Sequence, residues 1–173
     1  LGGGGWVVLG QGPPPWCDAA PGGGTPAPRN CRWTKWDRFE NMLYTMNLSG
    51  EEINKYLEYS YSEWLNTMKG TGDLLLRLRL GKDGKPVLNN GKAWLLNQPY
   101  NFDSAAGIDY IVDVSKPEGK RVTIKSLSDG RPFEKQKIYK VAVNSYRGNG
   151  GGGHFTEGAG IRKEELRSRV ISS

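Results

Sequence analysis

Residues able to break or make bonds are scarce in this chain. There is one histidine, His154. Two-metal hydrolytic sites converge several His and Asp ligands on the ions, and a single histidine does not provide such a set. No cysteine stands beside the histidine, no G-x-S-x-G elbow is present, and no lysine of a phosphate-binding loop follows a glycine run. Three carboxylates, Asp103, Asp109 and Asp113, could in principle pair for acid–base work. Asp109 and Asp113 read as the wet face of a strand, and Asp103 as a turn cap. By itself the chain is not expected to be a complete enzyme.

Binding chemistry is better represented. "NSYRGNGGGGHF" runs from Asn144 to Phe155 and contains four consecutive glycines, Gly150 to Gly153. Ordering glycine costs backbone entropy, so a run of four calls for a reason. Glycines let a flat ring or a phosphate approach the backbone. Tyr146 could offer a stacking face, worth about 1–3 kcal/mol per base. The alternative is that Tyr146 packs on the core edge and the glycines form an idle loop. Spacing alone leaves both open.

The elements that must hold these residues read as follows. "RFENMLYTMNL" (Arg38–Leu48) alternates through Phe39, Met42, Tyr44 and Met46 as a strand does. Ser49 with Glu52 forms a capping box. Behind it, Ile53, Leu57, Tyr61, Trp64, Leu65 and Met68 fall on one helical face. "LLLRLRL" alternates leucine and arginine and predicts a strand from Leu74 to Leu80. Asp83-Gly84 and Asp129-Gly130 signal turns. "GIDYIVDV" and "RVTIKSL" read as strands, and "KIYKVAVNSY" as a buried strand from Lys137 to about Tyr146. A charged helix follows from Ile161 to about Val170. A strand, a helix, several strands and a last helix predict an α+β domain with a mixed or antiparallel sheet and packed helices.

Residues 1–36 differ in kind from the rest. They are rich in Gly, Pro and Ala, and from Leu1 to Thr34 there is no Lys, Glu, Ile, Phe or Tyr. Such a segment buries little, so it is expected to be disordered, either a linker or the product of a gene-model error. "WVVLG" within it is too short and lacks the basic flank of a signal peptide. Cys17 and Cys31 both fall here; two cysteines could form one disulfide but do not make a four-ligand zinc site. The folded domain is expected over residues 37–173. No apolar run is long enough to span a membrane. The formal net charge of +6 is mild, and a solvated basic surface is favoured over a nucleic-acid groove built on Arg77, Arg79 and the last helix.

The stretches "RFENMLYTMNLSGEEINKYLE", "YNFDSAAGIDYIVDVSKPEGKRV" and "SLSDGRPFEKQKIYKVAVNSYRGNGGGGHF", in that order, resemble the C-terminal domain of bacterial 5′-nucleotidases and 2′,3′-cyclic-nucleotide 2′-phosphodiesterases, from about residue 37 onward. The resemblance implies a nucleoside-binding domain that presents the phosphate to an N-terminal metallophosphatase domain. It implies no cofactor in this chain and two divalent metals in that N-terminal domain. It implies a base held between two rings, here Phe39 and Tyr146, with Asn41 hydrogen-bonding the base. Gly150, Gly151 and Gly152 would lie against the nucleoside; at Gly152 some members carry an acid that grips the ribose. Periplasmic or secreted location is implied in the same way. The metallophosphatase domain is not in the sequence, the lead-in to "RFEN" is replaced by the Gly/Pro-rich segment, and the end at "RSRVISS" is early. A partial substrate-binding domain, or a gene fragment without activity, is therefore expected.

Overall fold

A computed structural model describes residues 6–10 and 42–172. Its centre is a five-stranded mixed sheet, in the order β5 (Ser104–Ala106), β1 (Trp6–Gly10), β8 (Ile138–Asn144), β2 (Leu43–Ser49) and β9 (Val170–Ser172). β2 and β8 form the longest ladder, antiparallel from Leu43 opposite Asn144 to Ser49 opposite Ile138. Period-2 alternation sends Met46, Leu48, Tyr139, Val141 and Val143 into the core. The expected α+β class and mixed sheet are observed.

One helix covers that face. α1 (Gly50–Trp64) opens on Ser49, whose Oγ accepts from the Glu52 amide while the Glu52 side chain accepts from the Ser49 amide. It buries Ile53, Tyr56 and Leu57 against the sheet, with Phe155, Ile161 and Leu166 filling in behind. Past Trp64 the backbone turns extended at Leu65, which bridges Leu76, and so the helix ends before Met68. Ser49→Ala is expected to lower stability by about 1 kcal/mol, because one orphan amide of the first turn loses its acceptor. A urea unfolding curve of the variant measures this.

Two expectations are corrected. Residues 1–36 were expected to lack structure, yet Trp6–Gly10 form β1, parallel to β8 and antiparallel to β5. Val7 and Leu9 are fully buried. Gly107 explains how the strand fits: a Cβ there would collide with the Trp6 carbonyl oxygen, and its φ of +86° suits glycine. The rest of residues 1–36, with both cysteines, lies outside the described residues. "LLLRLRL" is the second correction. It makes single bridges, Leu76 to Leu65, Leu78 to Leu95 and Leu80 to Pro86, rather than a strand. Its backbone groups turn first to residues 64–66, then to residues 94–96 and then to Val87, so no one partner builds a ladder.

The remaining strands are local. β3 (Leu88–Asn89) pairs with β4 (Lys92–Ala93), and β6 (Ile108–Val112) with β7 (Val122–Leu127). The last helix, α3, is confined to Lys163–Arg169.

Candidate functional site

The glycine run begins where β8 leaves the sheet. Tyr146 was expected at a strand end; it sits instead in the single turn α2 (Ser145–Gly148). Asn144 caps that turn by accepting from the Arg147 amide at 2.8 Å. Gly151–Gly153 form a 3-10 turn, and His154–Gly158 a π-helical turn.

Arg147 organises the region. Its side chain and that of Asp103 are both 0% exposed and ion-paired. Nε donates to Asp103 Oδ2 at 2.6 Å and Nη2 to Asp103 Oδ1 at 3.0 Å. Nη2 also donates to the Tyr100 carbonyl at 3.2 Å, and Nη1 to the Gly151 carbonyl at 3.2 Å and Asn101 Oδ1 at 3.4 Å. The five N–H groups of a guanidinium thus have five acceptors. Tyr56 Oη donates to Asp103 Oδ2. The Asp103 backbone is fixed as well, its amide donating to Ser60 Oγ and its carbonyl accepting from it. Asp103 is therefore no turn cap, which corrects the sequence reading. Asp109 is exposed, and Asp113 accepts from the Ser115 hydroxyl and amide at a surface turn.

Electrostatics follow from this burial. Desolvation works against the Arg147 charge, but the Asp103 hydrogen bonds and charge outweigh it and hold the guanidinium above its ordinary pKa. Burial, and then the Asp103 charge, push the Tyr56 phenol well above its ordinary value. His154 lies between the Tyr56 and Tyr59 rings, with Nδ1 3.1 Å from the Gly152 carbonyl. Burial lowers its pKa from 6.5 to about 4, so it is neutral at pH 7. Between pH 6.5 and about 4 the unfolded chain binds the proton that the folded chain excludes. Stability is expected to fall as pH drops through that window and to lose no more from this group below it. Urea titrations at stepped pH, with His154→Gln flattening the slope, test this.

The glycines are explained by their neighbours. A Cβ on Gly151 would sit 2.5 Å from the Tyr146 ring, and one on Gly153 2.7 Å from Tyr59 Oη. Gly152 has φ +75°, and a Cβ there would collide with Arg147 Nη1. The run is thus packed on side chains of this chain rather than left as an open phosphate loop. Tyr146 keeps 43% of its surface exposed, with Gly151 against its ring and the Arg147 guanidinium carbon 5.2 Å from its centroid.

Tyr146, Gly150, Gly151 and Gly152 are therefore brought together, whereas Phe39 and Asn41 lie outside the described residues. Sequence reasoning named Asp103 but gave it the wrong role, and it missed Arg147 and Tyr56. The available signal was a charged residue directly beside each motif aromatic, in "YNFD" and "NSYR". Among the described residues no three His, Cys, Asp or Glu side chains gather as a metal site, and no helix is long and apolar enough to cross a membrane.

A mixed sheet covered by α1, ending in a tyrosine turn and a glycine turn locked on a buried arginine, defines a small α+β domain. Residues 34–157 match the family described as 5′-nucleotidase, C-terminal domain. The chain belongs to that family. It is 27% identical over 148 residues to the trifunctional nucleotide phosphoesterase protein YfkN of Bacillus subtilis, a match covering 77% of this chain and 9% of that protein. It is 28% identical over 124 residues to a 2′,3′-cyclic-nucleotide 2′-phosphodiesterase/3′-nucleotidase of Salmonella typhimurium, covering 65% of this chain and 17% of that protein. The chain thus spans a small part of either relative. A candidate 5′-nucleotidase of Staphylococcus aureus, crystallised with α-ketoglutarate, superposes with a TM-score of 0.56 at 18% identity, over 96% of this chain and 27% of that one. That likeness concerns the fold alone.

Proposed function

We propose that this chain is the nucleoside-binding domain of a nucleotide phosphohydrolase acting on 5′-nucleotides or 2′,3′-cyclic nucleotides. Family membership supports the class. The observation that carries the binding role is the half-exposed Tyr146 ring, backed by Gly151 and next to the Arg147 lock. A base would stack on that ring, with Phe39 as its opposite face and Asn41 as its hydrogen-bonding partner. The domain would hold and orient the nucleoside, so that the phosphate reaches its reaction partner in one pose. Among the described residues no three His, Cys, Asp or Glu side chains gather as a site for divalent metals. In this reading those ions belong to a metallophosphatase domain outside this sequence, and export of the whole protein goes with it.

Stacking of one base on two rings, at about 1–3 kcal/mol per ring, sums to about 2–6 kcal/mol, or a Kd between about 40 μM and about 30 mM. Calorimetric titration of adenosine, AMP and 2′,3′-cyclic AMP into the chain is the test. Tyr146→Ala is expected to weaken binding about tenfold without unfolding the chain, since the ring is half exposed. A folded chain that binds none of the three would sink the reading.

A further inference from the structure

Arg147 cannot itself touch a ligand, because its side chain is 0% exposed. Yet it is hydrogen-bonded to three described segments beside Tyr146, at residues 100–101, Asp103 and Gly151. It follows Tyr146 directly in sequence. Its two Nη atoms reach the Tyr100 carbonyl, the Asn101 side chain and the Gly151 carbonyl, and its Nε and Nη2 seat on Asp103. Gly151 in turn lies against the Tyr146 ring, and Gly152 has no room for a side chain because the guanidinium fills it.

A buried ion pair is a costly way to gain stability, and an apolar pair of similar volume often does as well. What it supplies is directional. A planar fork with five donors fixes the relative position of its acceptors, which an ammonium does not. Here those acceptors lie on three segments, the 3-10 turn Pro99–Asn101, Asp103 and the glycine turn, while the arginine backbone belongs to the tyrosine turn.

We propose that Arg147 is a positioning residue for nucleoside recognition. Through the Asp103 pair it holds the Tyr146 ring and the Gly151–Gly153 turn in the one arrangement that presents the ring to a base. This rests on the nucleoside-binding reading above, and it adds a residue that acts only through Tyr146.

Arg147→Lys keeps the charge on Asp103 but loses the fork. It is expected to weaken AMP binding about tenfold in calorimetry. Asn101→Ala removes one acceptor from a half-buried side chain, so the chain folds, and it is expected to weaken binding about threefold. The decisive readout is the double-mutant cycle. Because Arg147 acts through Tyr146, Arg147→Lys in a Tyr146→Ala background is expected to add little further loss. Hydrogen exchange supplies a second, ligand-free readout. Arg147→Lys and Asn101→Ala should speed exchange in residues 100–101 and 146–153 while α1 and β2 stay protected.

Full additivity of the two losses in the cycle would overturn the proposal, as would AMP affinity unchanged in both single variants. If Arg147→Lys does not fold, Asn101→Ala decides by the same two readouts. If the unsubstituted chain binds no nucleoside, the proposed function fails. The exchange pattern then decides the remaining part separately: unchanged exchange at 146–153 would show that Arg147 holds nothing there.

Discussion

Asp103→Ala is expected to cost about 3–5 kcal/mol of stability, enough to unfold much of the population of a marginally stable domain. The carboxylate accepts from Arg147 Nε and Nη2 and from the Tyr56 hydroxyl, and neither it nor the guanidinium reaches solvent. Removing it leaves a buried cation without its counter-charge and a buried phenol without its acceptor. Both penalties act in the folded state alone, since water solvates these groups in the unfolded chain. The direction of the Arg147 pKa shift agrees: desolvation works against the charge, and the Asp103 hydrogen bonds and charge are the largest contributions that outweigh it. Replacing both partners, Asp103→Leu with Arg147→Met, should cost distinctly less than Asp103→Ala, because no charge is then stranded. Urea denaturation followed by circular dichroism compares the midpoints at constant slope. A loss below about 1 kcal/mol for Asp103→Ala, the range of an exposed pair, would show that the pair is not buried.

Leu9→Ala is the second large effect, expected at about 2–5 kcal/mol from lost transfer energy and the cavity left behind. Leu9 is 1% exposed in the central cluster that includes Val141, Met46 and Phe155. Its neighbour Val8 points the other way and is 46% exposed. Val8→Ala should therefore stay within about 0.5 kcal/mol. The contrast between adjacent positions is the informative quantity, since it reports the alternation of a strand seated in the sheet. Equal, small effects at both positions would mean that Trp6–Gly10 do not complete it. The same comparison bears on where the folded unit starts. A large effect at Leu9 places the domain's structural beginning at β1 and not near residue 37.

Local chemistry decided what could be read without coordinates. The capping box at Ser49 and Glu52 and the 3.6-residue period from Ile53 to Trp64 act within a few residues, and α1 formed as they predict. The alternation in "GIDYIVDV" and "KIYKVAVNSY" likewise gave β6 and β8, and the resemblance carried by the motifs led to the family. Where a residue's role depends on a distant partner, the sequence was mute. "LLLRLRL" has the period of a strand, but its partners change from residue to residue, so only single bridges result. "WVVLG" looks like part of a Gly/Pro-rich tail, and its burial depends on a slot between β5 and β8 that Gly107 keeps open. Asp103 and Arg147 stand 44 residues apart, and nothing local marks them as a pair. The glycine run was legible as a demand for close approach. That the approaching groups are Tyr146, Arg147 and Tyr59 was settled by tertiary packing, because a collision between side chain and backbone exists only once the chain has folded.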